Sequence, residues 1–229
     1  MRLKRLKQAW WWARDYAYAG TWQLRSVFPG PSPSRFLEGS RRPVVVLPGV
    51  YETWKFMLPL VREVHAQGHP VHVVPALGRN RMPVPQGTSV VSDYLEREGL
   101  SDVVFVAHSK GGLIAKHLLV FSESARRVRS VVAISTPFGG SRYATYMLNK
   151  TLRSLAPANE TMVLLARSVD ANARILSIFP RFDPHIPEGS LLEGAQNVEV
   201  ATPGHFRVLS DSQTRAEALS AAAAGGLPQ

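Results

Sequence analysis

Three residues of this chain have types and positions suited to nucleophilic chemistry. Ser109 sits in Ala107-His108-Ser109-Lys110-Gly111-Gly112, between a β-branched and aromatic run (residues 102–106) and a helix-like segment, residues 113–121. A strand that reverses tightly into a helix holds the residue at the bend clear of the scaffold, facing the backbone N–H groups of the helix start. Taken alone, the stretch also fits an ordinary serine in a glycine-rich turn. Two further groups change the weighing. Asp183 comes after the strand-like residues 175–179, and His205 after 198–201. In an open parallel sheet, functional groups gather beyond the carboxyl ends of the strands. A serine hydroxyl is a weak nucleophile, so a base such as His205 must take its proton as it attacks a carbonyl. Asp183 would then fix the imidazole tautomer and stabilise the imidazolium. The backbone N–H groups of Lys110 and of Val50, in the first strand–helix loop, would bind the developing oxyanion. One such donor is typically worth about 3–4 kcal/mol in the transition state.

Other candidates fit less well. His65, His69 and His72 flank an early helix–strand connection, at the wrong end of that strand for a base, and His117 falls mid-helix. His185 is the serious rival to His205, but it lies two residues from the proposed acid. For the acid, Asp170 precedes its strand, Glu188 lies further down the loop, and Asp211 comes after the histidine.

The elements that must position these groups alternate from Pro43 onward. Residues 44–47 form a continuous apolar run, the mark of a strand buried on both faces. Residues 53–67 carry helical apolar spacing, and 71–74 read as a second strand. A proline- and glycine-rich loop at 75–86 leads to a helix at 87–98, strand 102–107 and helix 111–121. Strand 129–134 is next. Residues 142–169 are mostly helix-compatible, interrupted at Pro157 with Asn159 as an N-cap. Strands 175–179 and 198–201 and an alanine-rich helix at 213–223 complete the pattern, before a Gly-Gly-Leu-Pro tail at 225–228. Alternation of this kind predicts an α/β fold, a mostly parallel sheet of about six strands with helices on both faces. The domain would span 41–222, with a small helical cap inserted at 138–170 and a tail at 223–229.

Residues 1–40 read separately, as a basic, tryptophan-rich helix and a proline-rich linker. Leu3, Leu6, Trp10, Ala13 and Ala17 fall on one helical stripe, with Arg2, Lys4, Arg5, Lys7 and Arg14 around them. Two roles fit: lying on an anionic membrane interface, or docking on the domain. Gln8, Arg14 and Asp15 interrupt the apolar stretch, which argues against a signal peptide, and no run approaches the roughly 20 apolar residues of a membrane span. A cytoplasmic protein, free or peripherally membrane-bound, is the expectation.

With 229 residues, 45% of them hydrophobic, the chain can build one sizeable core. It has no cysteine, which excludes disulfides, thiolate metal sites and cysteine nucleophiles. Its net charge of +10 favours anionic surroundings, yet no nucleic-acid motif accompanies that charge.

Four stretches resemble signatures of bacterial lipase- and esterase-like α/β-hydrolases: 107–112, Ser135-Thr136-Pro137-Phe138-Gly139-Gly140-Ser141, Phe182-Asp183-Pro184-His185-Ile186-Pro187, and 194–205. Leu77-Gly78-Arg79-Asn80 is similar to a loop of lipase-like relatives. The order Ser, Asp, His is also that of α/β-hydrolases. The resemblance covers about 43–210 and implies the α/β-hydrolase fold and hydrolysis of small-molecule or lipid carboxylic esters, with no cofactor or metal. Acyl transfer or thioester cleavage by the same residues, or a silent binding protein of this fold, are the alternatives. Three departures stand out. Leu47-Pro48-Gly49 replaces the usual His-Gly of the oxyanion loop, Ala107 the first glycine of the turn, and Lys110 the usual methionine or glutamine. The Lys110 ammonium is expected in solvent, or biasing the site toward anionic substrates. Tyr51, His108, Phe138, Tyr143 and Met147 are candidate substrate contacts, although packing beside the turn is the simpler role for His108. Tyr143, Tyr146, Met147, Leu148, Leu152 and Leu155 are spaced for an apolar helix face, which would form a lid over an acyl pocket or pack on the sheet with nothing to bind.

Overall fold

Six parallel strands, β1 (Val44–Leu47), β2 (Val71–Val73), β3 (Val103–His108), β4 (Val128–Ile134), β5 (Ile175–Pro180) and β6 (Gln196–Val200), form one sheet in the order β2-β1-β3-β4-β5-β6. The structure is a computed structural model, and it describes residues 2–224, with side chains from Leu6 onward. The side chains of Leu3 and of the cations Arg2, Lys4 and Arg5, and residues 225–229 of the tail, lie outside it.

The central strands carry apolar residues on both faces because both faces are covered. On one side Val45, Leu47, Phe105, Ala107, Val131 and Ala133 meet α3 (Val84–Arg97), α4 (Lys110–Phe121) and the cap. On the other, Val44, Val46, Val104, Val106, Val132 and Ile134 meet α2 (Leu58–Ala66) and α7 (Ser212–Ala223). Alternate residues of each strand thus enter opposite cores, as the pleat requires. β6 is an edge strand, and its side chains stay mostly exposed up to Val200.

Three helical expectations change. The 53–67 stretch opens as a 3-10 turn (Trp54–Met57) before α2. α3 begins at Val84, three residues early, because Pro85 falls in the first turn, where a missing N–H costs nothing. Residues 142–169 do not form one helix around a single break. They form a 3-10 turn (Arg142–Tyr146), α5 (Lys150–Arg153) and α6 (Glu160–Arg167). Asn149 accepts the N–H groups of Thr151 and Leu152, and Asn159 accepts that of Thr161, so each asparagine restarts the chain as an N-cap.

The N-terminal helix, α1 (Arg2–Val27), docks on the domain. Ala19 joins the core beside α2 and α7, with Trp22 packed against it, and the Trp11 ring lies 5.4 Å from that of Phe182. The stripe expected from the sequence faces outward: Leu6 is 68% exposed, Trp10 62%, and Ala13 and Ala17 are exposed too. Among the described residues no helix is long and apolar enough to cross a membrane.

Candidate active site

Ser109 occupies the junction between β3 and α4 with φ 50° and ψ −121°. A non-glycine residue in that region is strained by roughly 1–3 kcal/mol, and the surroundings hold it there. Its N–H donates to the Ile134 carbonyl at 2.8 Å, and its own carbonyl accepts from Gly112 N–H (3.0 Å) and Thr136 Oγ1 (3.1 Å). Glycine is required two residues on, because a Cβ at Gly111 would stand 2.2 Å from the Leu47 carbonyl oxygen. Ala107, in place of the usual glycine, points its methyl into the fully packed core around α4.

The three residues singled out from the sequence meet here. His205 Nε2 lies 2.9 Å from Ser109 Oγ, and His205 Nδ1 lies 2.8 Å from Asp183 Oδ2. The other Asp183 oxygen, Oδ1, accepts the N–H groups of His185 (2.8 Å) and Ile186 (3.1 Å). Burial would raise the Asp183 carboxyl, but the facing His205 and these hydrogen bonds hold it below the ordinary carboxylate range. Burial likewise opposes the His205 imidazolium, yet the Asp183 carboxylate, with help from Glu52 and Asp15, holds the imidazole above the ordinary histidine range. The hydrogen-bond pattern therefore makes Nδ1 the protonated nitrogen and leaves Nε2 to face the hydroxyl.

His185, the rival base, does not reach Ser109. Its ring packs 5.0 Å from that of His205 and 5.4 Å from Tyr16, and burial beside the two histidines His205 and His108 pushes it down to about 4. Asp170 starts the 3-10 turn before β5, Glu188 accepts from Arg142, and Asp211 caps α7. His65, His69, His72 and His117 pair with Phe36, the Arg42 carbonyl, Tyr94 and Phe121, away from the serine.

A cavity of about 510 Å³ opens over Ser109 and His205. Its walls come from the cap (Tyr143, Ala144, Tyr146, Met147, Leu152, Leu155), the 184–186 loop, Val50, and Trp12 and Tyr16 of α1. Val50 and Lys110 stand at the ends of β1 and β3, and neither N–H has a protein partner among the described residues. Of the candidate substrate contacts, Tyr143 and Met147 line the cavity, whereas Tyr51, His108 and Phe138 do not. Tyr51 has φ 62°, its carbonyl accepts from Gln23 and Arg79, and its ring lies under the Arg81 guanidinium at 5.3 Å. Phe138 is buried in the core around α4, near the Lys116 ammonium. His108 is wholly buried below His205.

The Lys110 ammonium is neither in solvent nor in the cavity. The side chain is fully buried, and Nζ donates to the carbonyls of Asn80 (2.9 Å) and Met82. Burial pushes it down to about 8. Lys110 thus ties the start of α4 to the 78–82 loop, whose Asn80 side chain donates to the Pro48 carbonyl at 2.7 Å.

Two buried carboxylates escaped sequence reasoning. Glu52 accepts from Gly49 N–H at 2.8 Å and meets His108 Nδ1 at 2.9 Å. Asp15, read only as a break in an apolar stretch, is completely buried beneath α1 against the His205 loop. The available signal was a lone acid among tryptophans on a helix that otherwise carries cations.

No protein-family model and no curated protein sequence matches this chain. Solved structures do. The mature form of the lipase BlEst2 from Bacillus licheniformis superposes with a TM-score of 0.63 at 14% identity, over 85% of this chain and 95% of that one. Aspergillus fumigatus lipase B gives 0.70 at 17% identity, over 83% of this chain and 54% of its own. An extracellular α/β-hydrolase from a Paenibacillus species gives 0.55 at 15%, over 82% and 100%. With its all-parallel strand order, the chain has the α/β-hydrolase fold.

Proposed function

We propose that this protein is a serine hydrolase that cleaves carboxylic esters through an acyl-Ser109 intermediate. One observation carries the reading: an unbroken relay from Ser109 Oγ through His205 to a buried carboxylate, opening into a largely apolar cavity. In the first half-reaction Ser109 Oγ bonds to the ester carbonyl carbon while its proton passes to His205 Nε2. The carbonyl π electrons move onto oxygen, where the N–H groups of Lys110 and Val50 would receive them. Collapse expels the alkoxide, which leaves with the proton held by His205. Water then repeats the sequence on the acyl-enzyme and regenerates the hydroxyl. Asp183 stays ionised throughout and stabilises the imidazolium. No step calls for a metal or an organic cofactor.

Apolar cap side chains around the cavity support acyl esters as substrates. The test is turnover of p-nitrophenyl esters of graded chain length by the wild type and by His205→Ala. Hydrolysis lost in the variant is expected, and equal rates in both would refute the reading. Adding a competing alcohol separates hydrolysis from acyl transfer, since transfer would yield the new ester as the main product.

The outer face of α1 supports a further proposal, peripheral contact with an anionic membrane. Leu6, Trp10 and Leu24 are each more than 60% exposed, and Lys7, Arg14 and Arg25 lie on the same helix of a protein with net charge +10. Co-sedimentation with vesicles containing anionic lipid should fall in Leu6→Asp/Trp10→Asp. Unchanged binding would dismiss the idea.

A further inference from the structure

The loop that carries His205 is gripped from two sides by groups outside the Ser109–His205–Asp183 relay. Asp15 lies mid-way along α1, and its two oxygens accept three consecutive backbone N–H groups. Oδ2 takes that of His205, and Oδ1 those of Phe206 and Arg207, each at 2.9 Å. Gly204 permits the approach: its φ is 115°, and a Cβ there would stand 2.4 Å from Asp15 Oδ1. From the other side, His108 Nε2 lies 3.0 Å from the His205 carbonyl oxygen, while His108 Nδ1 meets Glu52. A carbonyl only accepts, so His108 Nε2 carries the hydrogen of this contact. Both backbone polar groups of His205 are thus bound to buried side chains.

Anchoring α1 to the domain does not require this arrangement. Trp11, Ala19 and Trp22 already dock the helix on apolar surface. Burying a carboxylate is costly unless its oxygens are satisfied, and burial does push Asp15 above the ordinary carboxylate range against those three hydrogen bonds. The donors that satisfy it are the amides of the segment starting at His205.

We propose that Asp15 is a positioning residue for His205: by holding the amides of residues 205–207 it sets the imidazole over Ser109, which makes α1 a working part of the site. The inference rests on the reading of Ser109 and His205 as nucleophile and base. Charged and titratable groups face His205 from every side: Asp183 and His185 after β5, Glu52 after β1, His108 at the end of β3, and Asp15 on α1. Arg207 is close to both Arg14 and Asp15. Asp183, Glu52 and Asp15 all favour the imidazolium, so removing the Asp15 charge lowers the proton affinity of His205.

The experiment compares full-length wild type with Asp15→Asn, an isostere whose amide turns one acceptor into a donor against an N–H. Misplacement of a reacting group by about 1 Å can cost on the order of 10²-fold, and kcat should fall about 10- to 100-fold on that scale, with KM little changed because Trp12 and Tyr16 still wall the cavity. The acid limb of kcat/KM should move to lower pH. An unchanged kcat and acid limb in folded Asp15→Asn, or a loss confined to KM, would overturn the proposal. Fluorophosphonate labelling of wild-type Ser109 separates the two readings: a wild type that neither labels nor turns over ester fails the functional reading itself. Amide hydrogen exchange at residues 205–207 of the wild type needs no variant and decides the matter if Asp15→Asn does not fold. Strong protection of all three amides is expected, and exchange as fast as in open loops would reject the assignment.

Discussion

Two turns at the carboxyl edge of the sheet do the same job by opposite means. The turn at Ser109 is held by its own neighbourhood: β3 runs directly into α4, and its N–H and carbonyl bond to Ile134, Gly112 and Thr136 at the end of the adjacent strand and on the helix. The turn at His205 comes after the edge strand β6 and has little local structure to hold it. Its amides depend on Asp15, 190 positions earlier in the chain, and its carbonyl depends on His108. Ser109 is thus held by the sheet and the helix that follows it, whereas the backbone of His205 is held by a helix added outside the sheet. Damage to the first turn should therefore appear as lost folding, and damage to the second as lost turnover.

Ser109→Ala is the largest expected effect and breaks neither turn. It should lower kcat/KM by on the order of 10³ or more, with the melting temperature nearly unchanged. Substituting the two flanking glycines sets the turns against each other. Gly111→Ala drives a methyl into the Leu47 carbonyl, and overpacking of that kind costs about 1–3 kcal/mol or more, read as a lower denaturant midpoint. Gly204→Ala meets a positive φ worth roughly 1–2 kcal/mol and also pushes Asp15 away. Its kcat should fall by a larger factor than the stability loss alone explains. If Gly204→Ala loses stability but keeps its kcat, the two turns do not differ in the way described.

The pH dependence sharpens the same contrast. His205 is held above the ordinary histidine range, and the proposed mechanism needs its neutral form. Activity should accordingly rise with pH through a midpoint above that of an unperturbed histidine and disappear below it. In terms of stability, the raised proton affinity means that protonated His205 favours the fold below the unfolded value, and that contribution is lost as pH rises through the folded one. The smallest effect belongs to Trp12→Ala. It should raise KM several-fold for long acyl esters and leave kcat nearly intact, the signature of lost uniform binding.

Much of the fold was legible because its signals are local. The apolar runs at 44–47 and 129–134 and the strand–turn–helix at 103–121 mark buried parallel strands and the bend between them. Ser109, Asp183 and His205 could each be placed because a polar residue just past the carboxyl end of a strand is where chemistry gathers in such a sheet. The features that escaped depend on partners far along the chain. Lys110 looked like a solvent group because its two carbonyl partners, Asn80 and Met82, lie in a loop of no regular structure. His108 packs beside the turn, the simpler of its two expected roles, but its partners Glu52 and the His205 carbonyl could not be read because they are non-local. The outward stripe of α1 was the most regular one, but the docking face carries the residues whose partners the sequence cannot display, Trp11 against Phe182 and Asp15 against three amides. In the cap, the Asn159 cap was legible, whereas the second break, capped by Asn149, was hidden by the apolar spacing of 143–155.

In the proposed reaction the hydroxyl of Ser109, activated by His205, forms a covalent acyl intermediate. Rapid quenching of the wild-type enzyme during turnover of a p-nitrophenyl ester, with the peptides then identified by mass spectrometry, tests it most directly. An acyl group is expected on the peptide containing Ser109 in the wild type and none in Ser109→Ala. Ester turnover with no acylated Ser109, or acylation at another residue, would contradict it.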